Sequence, residues 1–466
     1  MNTSQRTSLN ATRRAQDLQA AQEEVADLLV IGGGVTGTGV ALDAASRGLK
    51  TVLLEAHDLA FGTSRWSSKL VHGGLRYLAK GDVKLAHESA VERGILMTRT
   101  APHLTRTLPM LFPLHAKANN FVMAGLKAGN ALRITAGTPA SVLPRPRRVP
   151  KHEALALVPG LDPAGLTGGL LNYDGQLVDD ARLVVALART AAGYGARIIT
   201  RAKVLTLQGD GAEAQDTLTG TTFSIRAKAV INATGVWAGT LAPVSLRPSR
   251  GSHLVVDAKT VGLSGTALTI PVPGERNRYA LLLPQANGRA YLGLTDEPVD
   301  EIPDVPQVPE SDVDFLLDTA SGVLQRKLTR HDVIGSYAGL RPLLEAEGQT
   351  ADLSRHHAVL RAPNGVITIV GGKLTTYRKM AADAVDATHL TQIPCRTKDI
   401  RLVDDKPHPT TPIAPGVTEA DVVHAIQHEG ALDIDDILDR RTRIGLVPAD
   451  REKAAPEIAK LLAAVV

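Results

Sequence analysis

Gly32, Gly33, Gly34 and Gly37 follow the apolar run Leu28 to Ile31 without a break, and Glu55 stands 21 residues beyond Gly34, after a second apolar run, Thr51 to Leu54. Residues of these types at this spacing bind a dinucleotide. Gly32 permits a tight turn, Gly34 lets the backbone approach a pyrophosphate, Gly37 lets a helix pack closely on a strand, and Glu55 accepts from ribose hydroxyls. The same carboxylate repels a 2′-phosphate, which favours FAD or NAD over NADP. The place of the motif near the start of the chain points to FAD. A stretch dense in hydroxyls, glycines and bases follows at residues 61–78, where Thr63, Ser64 and Ser68 are candidate donors to a polyphosphate. A late glycine pair, Gly371-Gly372, opens Lys373-Leu374-Thr375-Thr376 at a helix start. Free N–H groups at that positive helix end make Gly372, Lys373, Thr375 and Thr376 candidates for an electron-rich ligand. Lys373 there can stabilise the negative charge that reduction leaves on an isoalloxazine.

Positioning these groups takes a strand–turn–helix–strand unit, with the helix from about Val35 to Arg47 and Gly48 at its end. Asp179 or Asp180 can cap a helix running through Ala192, and a strand containing Val204 and Leu205 follows. The apolar strand Ala229 to Ala233 then ends at Thr234-Gly235 and returns the chain to the first unit, which adds Val204 and Gly235 to the cofactor candidates. Residues 244–300 alternate as antiparallel strands with turns at Pro273-Gly274 and Asn287-Gly288. The expected architecture is α/β: a Rossmann-like FAD-binding domain, an inserted antiparallel-sheet substrate domain and a small helical C-terminal tail. The bounds read as a polar extension over 1–24, a discontinuous FAD-binding domain over 25–75, 165–243 and 335–393, a substrate domain over 76–164 and 244–334, and a linker and tail over 394–466. Helices are expected at 418–429 and 433–446. Pro144-Arg-Pro-Arg-Arg148 reads as a solvated loop, and Arg440, Arg441 and Arg443 as a solvated helix face that anionic lipid could also meet.

Composition narrows the function classes. The 466 residues are 21% charged and 44% hydrophobic, an ordinary globular balance, and a formal charge of +4 gives no case for nucleic acid. The single cysteine, Cys395, excludes an internal disulfide and any cysteine-rich metal site and suits a reducing compartment. No metal is expected. No run of 18 apolar residues crosses a membrane, and the polar first 24 residues lack the apolar core of a secretory signal. The protein is expected in the cytoplasm or attached to the inner face of the cell membrane.

Two signatures carry a resemblance. The first is Ile31-Gly-Gly-Gly-x-x-Gly-Thr-Gly-x-Ala41-x-Asp43-x-x-x-Arg47-Gly48, and the second is Gly371-Gly-Lys-x-x-Thr-Tyr377-Arg378-x-x-Ala381. With Ser67-Ser-Lys-Leu-x-His72-Gly-Gly-Leu-Arg76-Tyr77, Gly251-Ser-His253 and Tyr337-Ala-Gly-Leu-Arg341-Pro-Leu, they make the chain resemble the FAD-dependent glycerol-3-phosphate dehydrogenases from about residue 25 to 390. The resemblance implies oxidation of glycerol 3-phosphate to dihydroxyacetone phosphate, with electrons passing from FAD to a quinone at a membrane surface; a homo-oligomer is expected besides. It also implies that Arg76, Arg341, Arg355 and Lys373 hold the substrate, with Tyr77 and His253 beside them. One departure stands out: the family carries an acid after the arginine matching Arg355, and this chain carries His356.

The chemistry agrees with that cluster. A dianionic phosphate held away from bulk water needs several fixed cations, and arginine meets its oxygens bidentately. Hydride removal from C2 needs a base for the hydroxyl proton and a cation near the forming carbonyl. His253 is the natural base, although a histidine in a strand more often serves packing. Arg341 and Lys373 are the candidate cations. Three alternatives stay open: an oxidase of the same substrate that uses oxygen, a flavoenzyme of a 2-hydroxy or amino acid, and a non-enzymatic flavoprotein partner.

Overall fold

The computed structural model describes residues 6–74, 77–78, 81–115, 120–275, 278–344 and 356–465. Strand Val25–Ile31 runs through the glycine turn into helix Val35–Ser46, and strand Thr51–Leu54 follows. Both strands are covered on both faces, which is why they read as unbroken apolar runs. Leu28, Val30 and Leu53 pack with helices Val35–Ser46, Asp180–Gly193 and Tyr377–Asp386, while Leu29, Ile31, Val52 and Leu54 join a second cluster with Val204, Leu207 and Phe223. Six strands of this eight-stranded sheet run His357–Arg361, Ile367–Gly371, Thr222–Asn232, Val25–Ile31, Thr51–Leu54, Arg197–Ile199, parallel except for the first, while Gly211–Asp216 and Ala202–Gln208 add an antiparallel extension to Thr222–Asn232. From Val25–Ile31 the chain builds first to one side and later to the other, so a crevice opens at the carboxyl ends of Val25–Ile31 and Thr222–Asn232.

The second sheet has ten strands and is antiparallel but for the pairing of Ala267–Pro271 with Thr105–His115. Leu254, Val256, Leu268, Ile270, Leu282 and Leu292 bury one face against Leu316, Leu317 and Ala320 of helix Glu310–Ser321. The strands do not follow the bounds read from the sequence. Leu70–Val71, Leu166–Leu177 and Val333–Arg341 all pair in this second sheet, although the first two and all but the start of the third fall in stretches expected within the FAD-binding domain. Alternation shows that a stretch is a strand, not which sheet it joins, and these three run from one sheet toward elements of the other. The cluster Pro144–Arg148, read as a solvated loop, runs into strand Arg147–Pro150 with Arg147 and Arg148 exposed, between helices Asn120–Thr135 and Lys151–Leu157.

The C-terminal unit has its own core, with Val422, Ile426, Ile437, Leu438 and Ile458 at its centre. Helix Glu419–His428 starts at a capping box, Thr418 with Asp421. The expected helix over 433–446 is broken into short irregular turns, and a longer helix, Pro448–Val465, follows it. Arg440, Arg441 and Arg443 are buried, not solvated: Arg440 and Arg441 pair with Asp58, and Arg443 faces Asp179. Three arginines in four positions read as surface because their partners lie hundreds of residues away. Among the described residues no helix is long and apolar enough to cross a membrane.

Candidate active site

A cleft of about 2620 Å3 is lined by both sheets and runs from the glycine turn to the strands that carry His253 and Arg341. At its nucleotide end Gly32 has φ 108°, and a Cβ there would sit 2.7 Å from the Ala233 carbonyl oxygen. A Cβ on Gly37 would collide with the Gly32 carbonyl, so the turn closes only on glycine. Gly34 faces open cleft: the nearest neighbour of an added Cβ is Ser64 Oγ at 3.1 Å. The Val35 N–H donates to Ser64 Oγ at 2.9 Å, and Thr36 opens onto the cleft behind it. Glu55 accepts from the Gly33 N–H at 2.6 Å and the His57 N–H at 2.8 Å, which leaves each carboxylate oxygen a further lone pair. Burial pushes the Glu55 carboxyl up, and those backbone donors oppose the shift.

Gly33 itself is absent from the cleft wall and serves by holding Glu55. Val204 and Gly235, the latter with φ 61°, line the same end. The hydroxyls divide differently from expectation. Thr63 donates to the Leu340 carbonyl at 2.6 Å, and Ser68 Oγ lies 2.8 Å from His253 Nε2, so these two tie the walls together and only Ser64 caps the helix start. A backbone turn closed to side chains, a helix N-terminus and a carboxylate fit the pyrophosphate and ribose of FAD.

At the other end, register brings the candidates together. Strand Ser249–Asp257 pairs with Val333–Arg341 so that Ser249 stands opposite Arg341 and His253 opposite Tyr337. Arg341 donates to Ser249 Oγ (3.1 Å), Asp296 Oδ1 (3.2 Å) and the Thr295 carbonyl (3.1 Å), and its guanidinium covers Gly251, where a Cβ would collide with it. His253 is buried and stacks on Tyr337 with centroids 4.6 Å apart. Burial, with the cations of Lys69 and Arg341, pushes its imidazole down to about 3, so the ring is neutral at any working pH. Lys373 Nζ sits 3.8 Å over the Tyr77 ring and donates to Ser89 Oγ at 3.2 Å. Gly372 (φ 70°) and Thr375 line the cleft, whereas Thr376 does not: it is buried, and its hydroxyl donates to the Lys373 carbonyl. Arg76 and Arg355 lie outside the described residues.

Several participants escaped the sequence reading. Lys69 is buried against Asp180 at 2.6 Å, and burial, with Arg443 nearby, pushes its ammonium down to about 8. Asp180 also accepts from the Ser67 N–H and hydroxyl, so the buried pair anchors the loop that carries Ser68. His72 and Arg93 share Asp174 on the cleft wall. His356, which stands where the family carries an acid, places its Nε2 2.7 Å from Asp82 Oδ2. Nothing local to Ser67-Ser68-Lys69 marks the lysine as buried, because its partner Asp180 lies 111 residues away. Asp82 has no local mark either.

Residues 27–378 match the FAD dependent oxidoreductase family, and residues 395–466 match the C-terminal domain of alpha-glycerophosphate oxidase. Glycerol-3-phosphate dehydrogenase 1 of Mycobacterium tuberculosis is 52% identical over 498 residues, 96% of each chain. Glycerol-3-phosphate dehydrogenase of Mycobacterium leprae is 36% identical over 98% of this chain and 88% of its own. Among solved structures, glycerol-3-phosphate dehydrogenase from Bacillus halodurans complexed with FAD superposes with a TM-score of 0.74 at 27% identity, covering 97% of this chain and 94% of that one. FAD is thus the cofactor, and the chain belongs to the FAD-dependent glycerol-3-phosphate dehydrogenases.

Proposed function

We propose that this protein oxidises glycerol 3-phosphate to dihydroxyacetone phosphate and delivers the electron pair to a quinone. One observation carries the reading: Arg341, Lys373, His253 and Tyr77 line the same cleft as the nucleotide cradle. Cations fixed by their own partners suit a dianionic substrate, because little reorganisation is needed when it arrives. Arg341 and Lys373 bind the phosphate and the C2 oxygen, joined by Arg76 and Arg355 on the strength of their motifs.

FAD, when bound, accepts the hydride from C2. The hydroxyl proton goes to His253, whose neutral ring has a lone pair to offer. Ser68 stands at Nε2, so the proton passes through the serine hydroxyl or reaches Nε2 once Ser68 turns aside. An arriving dianion offsets the cations of Lys69 and Arg341 and raises the imidazole toward a useful basicity. The electron pair and two protons then reduce a quinone. Met110, Phe112, Val122, Leu126 and Leu281 give the same cleft an apolar wall that suits a quinone ring. Since quinones reside in membranes, the reading places the protein peripherally on the inner face of the cell membrane.

Anaerobic mixing with glycerol 3-phosphate should bleach the flavin, and a quinone analogue should restore its colour faster than oxygen does. Flavin that stays oxidised excludes the substrate. Bleached flavin that oxygen alone restores excludes the acceptor.

A further inference from the structure

The C-terminal domain reaches into the cofactor site. Asp433, Asp439 and Arg440 line the nucleotide end of the cleft. Asp58, three residues past Glu55, is buried and accepts from Arg441 Nη1 (2.7 Å) and Nη2 (2.8 Å) and from Arg440 Nε (2.6 Å). Burial alone would raise the Asp58 carboxyl, yet these two guanidiniums hold it well below the usual carboxylate range. On the other side of the pocket, the Glu55 carbonyl accepts from Ala202 N–H and the His57 carbonyl from Arg201 N–H. The Arg201 guanidinium donates to Asp433 (2.5 Å) and Asp436 (2.7 Å), and Arg440 closes the chain on Asp436 (2.5 Å). A continuous run of ion pairs therefore spans both flanks of Glu55.

A second contact braces the next part of the loop. Arg443 donates to the Arg65 carbonyl at 2.7 Å, one residue beyond the Ser64 that caps the dinucleotide helix. Backbone geometry marks the same places: Ala60, Arg201 and Arg443 have φ of 62°, 56° and 64°, in the left-handed region that L side chains rarely adopt. Such conformations persist where the surroundings over-determine them. Arg201 belongs to the ion-pair network, Arg443 pairs separately with Asp179, and Ala60 lies two residues past Asp58.

We propose that the segment Asp433–Arg443 is a positioning part of the FAD site, holding Glu55, Ser64 and the loop between them in the cofactor-binding conformation. FAD affinity and docking of the C-terminal domain are then one coupled equilibrium. A buried ion-pair network is a weak source of net stability but a strong determinant of geometry once formed, because a misplaced partner leaves a charge unpaired. By reciprocity, bound FAD tightens the docking of the C-terminal domain as much as docking tightens FAD. The inference needs FAD alone and no assumption about substrate.

The test uses the full chain with Arg441→Met and, separately, Arg440→Met. FAD dissociation constants come from flavin fluorescence on reconstituting apoprotein, and hydrogen exchange reports docking at residues 433–443. FAD affinity should fall by about 5- to 150-fold, the usual span of coupling between linked sites. Arg441→Lys should recover part of it, which a general loss of packing would not allow. Ile458→Ala, inside the C-terminal core, should lower the melting temperature and leave FAD affinity unchanged. Should the methionine variants fail to fold, the wild type supplies the reciprocal measurement: removing FAD should speed exchange at 433–443. Unchanged FAD affinity in a variant whose 433–443 segment exchanges freely overturns the proposal, as does wild-type exchange there that ignores FAD.

Discussion

Arg341→Ala separates a residue that grips substrate from one that holds the sheet. In the fold, Arg341 donates to Ser249, Asp296 and the Thr295 carbonyl, and its side chain is 18% exposed against 12% for Asp296. Removing it leaves Asp296 short of a partner, a cost of about 2 kcal/mol for a partly buried charged group. A chain of 466 residues unfolds with an entropy of about 1 kcal/mol per degree, so the melting temperature falls by only ~2 °C. If Arg341 holds substrate oxygens, transition-state binding loses about 2 to 5 kcal/mol, or roughly 30-fold to 5,000-fold in kcat/KM. Lysine should rescue poorly, since it restores charge without the planar fork that lies over Gly251. FAD content should match wild type in both variants, because Ser249, Asp296 and Thr295, which accept from the Arg341 side chain, are not residues of the glycine turn. Anaerobic stopped-flow reduction, flavin absorbance per polypeptide and a melting curve measure the three quantities. Full activity in Arg341→Ala, or flavin lost in step with activity, refutes the reasoning and makes Arg341 a structural residue.

Below pH 6.5 the imidazole of an unfolded chain binds a proton that the buried His253, at about 3, does not, so this ring favours folding above that window and the benefit disappears as pH falls through it. The loss reaches roughly 5 kcal/mol at its limit, and His253→Asn should flatten this part of the stability–pH curve while slowing flavin reduction; an unaltered curve counts against the buried neutral ring. Gly37→Ala should lose FAD and stability together, since its Cβ meets backbone, whereas Gly34→Ala should keep the fold and weaken FAD by displacing Ser64; equal damage in flavin content and melting temperature would contradict the geometry. An acid after Arg355 is the family pattern, yet His356→Asp should raise KM, because it sets a second carboxylate against Asp82 where a histidine now pairs with it. A lowered KM would show that the Asp82 contact is incidental.

The dinucleotide unit was legible because every part of it is local: turn, helix and acid fall within 30 residues, and period and composition state the geometry outright. His253 and Arg341 were legible as types and motifs, but their adjacency comes from the register of two strands some 80 residues apart, and no pattern within either strand contains it. Thr63 and Ser68 look like phosphate donors from composition. What they do was decided by which wall each meets, Leu340 for one and His253 for the other. The domain bounds miss the sheet of three strands for a related reason, because a pattern within one strand leaves its neighbour open. Arg440, Arg441 and Arg443 misled most, since charge density argues for solvent until the buried carboxylates that meet them are seen.

The contact between Asp58 and Arg441 spans 383 residues of chain. A ribosome adding 5–20 residues per second delivers Arg441 roughly 20 to 80 s after Asp58 has emerged. Throughout that interval the loop after Glu55 carries a carboxylate that the finished molecule buries between two guanidiniums, and the N-terminal Leu9 waits for its bridge to Glu429. The glycine turn is thus synthesised early and completed last. A nascent chain stalled short of residue 441 holds the whole dinucleotide motif with its second wall missing, so early release by a truncated message yields a species with an open flank for chaperones and proteases to find.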